Sequence, residues 1–218
     1  MTVVRMPSPC ATATGHPIMR TTQFIYRATR SVFFDSPKCR AAVPARDPLL
    51  KCALQQASLD YAVRSIRHQV GPQLDCPRLS LTGVVLDRMD GLFLLKVHNI
   101  KPKRSERDQA ALEFALRCNG LRLLERDARE IRTDPLFSNA RQVWQHERYD
   151  VPLLDRLRIS VALAEYGPQS IRDLEARSRP EANVLAAACA LACQNLLTLN
   201  IQDSPLGPLT MVAANSQW

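Results

Sequence analysis

Apolar and polar positions alternate along this chain in two distinct periods, and the change of period divides it. Pro48 to Ala57 places Leu49, Leu50, Ala53 and Leu54 on one face, a helical spacing. A strand is predicted at Tyr61–His68, with Val63 and Ile66 at its centre. A loop punctuated by Pro72, Asp75 and Pro77 follows. Two apolar runs come next, Leu79–Leu86 and Leu92–His98, separated by Asp87-Arg88-Met89-Asp90-Gly91. Asp-Gly between β-rich runs predicts a hairpin, and the nearly unbroken apolarity of the second run predicts a strand covered on both faces. Ser105 opens a helix through Cys118 with Asp108 completing an approximate capping box, and Gly120 stops it. Leu121–Leu124 is a short predicted strand. Asp127–Ile131 and Asn139–Gln145 are short helical segments around Pro135. The outline is a small α/β layer domain.

From Val151 the pattern is helical. Leu153–Tyr166 is predicted as a helix with Leu154, Leu157, Val161 and Leu163 to Ala164 inward. Ser170 caps a second helix through Ala176, and Pro180 lies in the first turn of a third that runs to Asn195. Leu196–Ile201 and Leu209–Ala213 form a terminal hairpin. Three helices and a two-stranded ribbon predict a winged helix over residues 151–218, after an α/β unit at 31–150 and a basic arm at 1–30.

Composition supports a folded chain with a real core. Of 218 residues 46% are hydrophobic and 23% charged, which excludes wholesale disorder, and seven Gly against fifteen Pro excludes collagen-like repeats. The longest apolar run, Val184 to Cys193, is far shorter than the ~20 residues of a bilayer span. The seven cysteines, Cys10, Cys39, Cys52, Cys76, Cys118, Cys189 and Cys193, are odd in number and contain no Cys-x-x-Cys. With no secretory leader at the start, they suggest free thiols in a reducing, cytoplasmic compartment. Cys189 and Cys193 read as small core residues.

The formal charge of +8 is uneven. Residues 1–50 carry seven bases against two acids, and residues 51–110 carry ten against six. Residues 111–150 balance, and 151–218 have one more acid than base. A basic first half predicts an anionic partner, nucleic acid above all, at that end. The candidate phosphate contacts are Lys38, Arg64, Arg67, Arg78, Lys101, Lys103, Arg104 and Arg107. The third C-terminal helix, by contrast, contains no base from Glu181 to Asn195, where a groove-reading helix needs hydrogen-bonding side chains. Its small face, Ala182, Ala186, Ala190 and Cys193, predicts a protein-docking surface.

In order and spacing the chain resembles the TnsA-type heteromeric transposase endonucleases. Phe34-Asp35-Ser36-Pro37-Lys38 matches their opening phrase, and Asp47-Pro-Leu-Leu-Lys51 their catalytic helix. Arg67-His68-Gln69 matches the strand that ends in Gln-Pro. Leu81–Leu86, Asp90-Gly91 and Leu92–His98 correspond to the Pro-Asp strand, the turn and the Glu-x-Lys strand, and Gly120 to Asn139 to the stretch beyond the next helix. The likeness spans residues 30–213. It implies a restriction-endonuclease-like, PD-(D/E)XK fold followed by a winged helix. It also implies transposon-end DNA, a DDE-type transposase and an AAA+ regulator as partners, in a bacterial, nucleoid-associated setting without a membrane.

Such a nuclease needs carboxylates on Mg²⁺ and a nearby Lys. Here Lys51 stands at the helix Glu position, Gly83 at the Asp position, and Leu94 two residues before Lys96. With the register shifted by two, Lys96 replaces the acid and His98 the Lys. The expectation is therefore a catalytically inactive subunit without a metal cofactor. One alternative is an active, divergent Mg²⁺-dependent endonuclease using relocated acids, with Asp87, Asp90 and Glu106 nearest in sequence. Another is a winged-helix transcription regulator that binds DNA with its C-terminal half.

Overall fold

Asp47 opens the first helix: its side chain accepts the Leu49 N–H at 2.8 Å, and α1 runs Pro48–Leu59. The computed structural model describes residues 33–71 and 80–215. The arm at 1–30 and Arg78 lie outside them. Ahead of α1 two short strands, β1 (Phe33–Phe34) and β2 (Val43–Pro44), pair antiparallel.

The main sheet contains β3 (Val63–Gln69), β4 (Gly83–Arg88), β5 (Gly91–His98) and β6 (Arg122–Asp127) in that spatial order. The first two junctions are antiparallel and the last is parallel, so the sheet is mixed. Arg88 pairs with Gly91 across the predicted Asp-Gly turn, and Gly91 has φ +134°, which only glycine adopts without strain. The parallel step requires a crossover, supplied by α2 (Glu106–Cys118). Ser105 caps it, accepting the Asp108 N–H at 3.1 Å, and Gly120 follows its end at φ +64°.

The period of two along β5 assigns its faces. Phe93 and Leu95 join Ile66, Val84, Leu86 and the α1 residues Leu49, Ala53 and Leu54 in one core. Leu94 points the other way, into a second core with Val85 and the α2 residues Leu112 and Leu116. The sheet is thus flanked by α1 on one face and α2 on the other.

After β6 come α3 (Ala128–Ile131), opened by an Asp127–Glu130 capping box, and α4 (Leu136–Gln145). The remainder is α5 (Leu153–Tyr166), β7 (Gln169–Ser170), α6 (Ile171–Ser178), α7 (Val184–Cys193), β8 (Leu197–Leu199) and β9 (Met211–Ala214). The three strands form a small antiparallel sheet in the order β7-β9-β8. The segments before and after Val151 share a core, in which Ala140 and Val143 of α4 pack on Cys189, Ala192 and Cys193 of α7. Buried Asn139 reinforces this contact by donating to the carbonyls of Ile201 (2.9 Å) and Ser204 (2.7 Å).

Two expectations about the C-terminal helices are corrected. The bounds of α5 agree with the pattern, but its inward residues are Asp155, Ile159, Ala162 and Leu163, while Leu154, Leu157 and Val161 face solvent. A carboxylate explains the rotation: Asp155, 1% exposed, accepts the N–H groups of Glu181 (3.2 Å) and Ala182 (2.9 Å). Those same bonds hold residues 181–182 out of the helix, so α7 begins at Val184 under an Asn183 cap. No helix among the described residues is long and apolar enough to cross a membrane. Cys39, Cys52, Cys118, Cys189 and Cys193 are free thiols. Burial pushes Cys189 and Cys193 up to about 12, which leaves them unreactive core residues.

Candidate functional site

The sheet carries a polar cluster at the end from which the chain leaves β5 and β6. Alternation turns Lys96 toward the α2 face, beyond the apolar layer of Leu94 and Val85. Its Nζ donates to the Thr82 carbonyl at 2.7 Å. It also lies beside Gly83: a Cβ built there would sit 3.5 Å from Lys96 Nζ and 3.3 Å from Leu94 Cδ1. The position where the resemblance implies a metal-binding Asp therefore adjoins an ammonium head, at ordinary contact distance. Burial lowers the Lys96 pKa, Arg104 nearby lowers it further, and Glu125 partly opposes them.

Glu125 pairs in register with Lys96 on the parallel strand. Arg104 forks onto it, Nη1 to Oε2 at 2.7 Å and Nη2 to Oε1, while His98 Nε2 lies 3.1 Å from Oε1. These bonds, Arg104 first, hold the Glu125 carboxyl below the usual carboxylate range. Glu125 was not a candidate from sequence. The available signal was the pairing of the short Leu121–Leu124 run beside the Leu92–His98 strand, which brings the following residue level with Lys96.

The other implied positions divide: Leu94 adjoins Gly83 but is fully buried in the apolar core and offers no polar group. Lys51 is exposed on α1, which packs on the opposite face of the sheet. Among the nearby acids, Asp90 is engaged with Arg88 at 3.3 Å and Arg122 at 3.8 Å. Glu106 is exposed in the first turn of α2, where it complements the helix dipole. Asp87 is half-buried opposite Leu92. Among the described residues no group of three or more His, Cys, Asp or Glu side chains is placed to hold a metal ion.

The candidate phosphate contacts separate into two sets. Lys38 is 6% exposed and its Nζ donates to the Asp60 carbonyl at 2.7 Å, tying the segment before α1 to that helix's C-terminal end. It is a structural clamp and not a surface cation. Lys101 is paired with Glu130, and Arg104 with Glu125. Arg64, Lys103 and Arg107 are exposed and Arg67 is half-buried, and none of the four makes an ion pair among the described residues.

The docking face assigned to the third C-terminal helix is corrected. Ala186, Ala190 and Cys193 are buried, and Ala182 lies in the loop held by Asp155. Small residues let helices approach closely, but the helices that approach are the chain's own. Ala187, Ala190 and Leu191 pack with Ile159 of α5 and Leu174 of α6, and Cys189, Ala192 and Cys193 with α4. For the same reason α7 offers no open face to a DNA groove. In the C-terminal segment, Leu153, Leu154, Leu157 and Val161 of α5 are between 52% and 71% exposed, and Tyr166, Leu209 and Met211 also face solvent.

No protein-family model, no curated protein and no solved structure matches this chain.

Proposed function

We propose that the chain is a non-catalytic subunit of a DNA-mobilisation complex, related in plan to the TnsA-type nucleases its sequence resembles. In this reading the four-stranded sheet is a restriction-endonuclease-like core and α5–β9 is a winged helix. The observation that carries the proposal is the juxtaposition of Gly83 and Lys96. In support, Lys96 Nζ lies within contact distance of any side chain at Gly83, and the acid that pairs in register with Lys96, Glu125, is bound by Arg104. Two-carboxylate Mg²⁺ chemistry has no such arrangement to use.

DNA binding rests on the basic first half and on Arg64, Arg67, Lys103 and Arg107, which pair with no acid among the described residues. Protein docking moves from α7 to the apolar stripe of α5. The transposase or AAA+ regulator implied by the resemblance would be the partner.

The test uses the full chain on a labelled duplex, with affinity measured across a salt series. Replacing Lys103 and Arg107 by Ala should reduce the slope of log affinity against log salt by up to about two contacts. Replacing Lys101 should change it little. An unchanged slope in the double variant overturns the DNA assignment. A second reading, an active divergent nuclease, is favoured only by the position of Glu125 beside Lys96. Mg²⁺- or Mn²⁺-dependent nicking that disappears on Glu125→Gln would establish it and end the non-catalytic proposal.

A further inference from the structure

On the face of the sheet opposite Lys96, a cleft of about 570 Å³ opens between α1, the strands and the segment 198–202. Its volume is in the range of small-molecule sites. The walls are mixed: Leu86, Leu95 and Leu124 of the sheet, Ala57 of α1, and Leu199 and Ile201 form an apolar floor, while Gln56, Thr198, Asn200 and Gln202 are polar. Three charged side chains also line it: Asp60, Arg88 and Arg126.

The two arginines differ in what they hold. Arg88 is fully engaged, 3.3 Å from Asp60, 3.3 Å from Asp90, and over the Phe93 ring. Arg126 donates only to uncharged acceptors, Gln56 Oε1 at 2.9 Å and the Glu130 carbonyl at 3.3 Å. The carboxylates whose charge reaches it, Glu130 and Asp60, are taken by Lys101 and Arg88. Among the described residues, no carboxylate is within ion-pair distance of it. Its position is nevertheless specified. Gln56, 5% exposed, is fixed by a 2.8 Å bond from Nε2 to the Ile131 carbonyl, so its Oε1 is aimed at the guanidinium.

A guanidinium drawn partly out of water without a counter-ion costs stability, and burial accordingly lowers its pKa. Its internal bonds need only a neutral donor. A planar fork beside an apolar floor is the arrangement that receives a carboxylate or phosphate attached to a hydrophobic body. We infer that this cleft binds a small organic oxyanion, with Arg126 receiving the anionic group and the leucine floor the apolar body. The inference does not depend on the DNA reading, since the cleft lies on the other face of the sheet.

Calorimetric titration of the full chain with decanoate, 1-naphthyl phosphate and the neutral isostere decanol tests it. At least one anion should bind saturably, and decanol about tenfold more weakly or less. Tighter decanoate binding assigns a carboxylate ligand, and tighter naphthyl phosphate binding a phosphate; either supports the site. Arg126→Gln should weaken the preferred anion by about tenfold or more, with Arg126→Lys intermediate because it keeps the charge but loses the fork. Leu199→Trp, which fills the cleft and leaves Arg126 untouched, should abolish binding and keeps the test decisive if the Arg126 variants fold poorly. Absence of saturable binding by both anions, equal binding of decanol, or unchanged binding in Leu199→Trp overturns the proposal.

Discussion

Helices α5 and α7 are both rich in apolar residues, and the chain treats them in opposite ways. α7 is almost wholly Ala, Leu and Cys and is buried along its whole length between α4, α5 and α6. α5 carries four large apolar residues on its outer face and a carboxylate on its inner one. Side-chain size explains the first case: Ala and Cys permit approach from more than one direction, so a helix without a polar face becomes the centre of the unit. Hydrogen bonding explains the second. Asp155 satisfies two backbone N–H groups that would otherwise be unpaired at the start of α7, and a partner so specific outweighs the burial of another leucine. Hydrophobicity alone therefore does not say which helix is core and which is surface.

Substitution by Arg should separate the two helices by the widest margin. Ala190→Arg places a charge where nothing is exposed and should cost about 4 kcal/mol or more, enough to unfold a marginal domain. Leu157→Arg on the exposed stripe should change stability by less than about 1 kcal/mol. Urea denaturation of the two full-length variants measures both, and similar losses would erase the distinction between the helices.

The carboxylate that orients α5 is the next lever. Asp155→Ala leaves the Glu181 and Ala182 N–H groups without their acceptor and removes the partner of Arg158, so a loss of about 2–3 kcal/mol is expected. Asp155→Asn, which keeps one acceptor oxygen, should lose less. If Asp155→Ala were neutral in the same denaturation experiment, the rotation of α5 would need another cause.

The smallest expected effect concerns a clamp in the first half. Burial lowers the Lys38 pKa from the ordinary 10.5 to about 8, with Asp60 partly opposing it. Between those values the unfolded chain holds the proton more tightly than the folded one, so stability rises with pH. The penalty for burying the ammonium is in full force below pH 8 and fades as the pH approaches 10.5. Relative to Lys38→Met, the wild-type chain should therefore gain on the order of 1–2 kcal/mol between pH 8 and pH 10. A pH-independent difference would show that Lys38 is not desolvated.

Local signals were legible where a few neighbouring residues suffice to specify them. Ser105 with Asp108 marks the start of α2, Asp-Gly marks the turn before β5, and Pro152 and Gly167 bound α5. The candidate site was legible only in part. That Gly83, Leu94 and Lys51 lack carboxylates is plain from the chain, whereas their placement is not: Leu94 is core, Lys51 is on the far face, and Gly83 adjoins Lys96. Glu125 escaped notice because its neighbours in space, Lys96, His98 and Arg104, are 21 or more residues away along the chain.

The sequence by itself determined most of the elements and the uneven charge, because periodicity, capping and composition are properties of short windows and of counts. Tertiary structure alone decided which bases make no ion pair among the described residues and which face of α5 looks inward. It also decided that α7 is enclosed and that, among the described residues, Arg126 has no carboxylate within ion-pair distance, Asp60 of the same cleft being held by Arg88. Each of these depends on which distant group satisfies a charge or a hydrogen bond, and that pairing exists only once the chain has closed on itself.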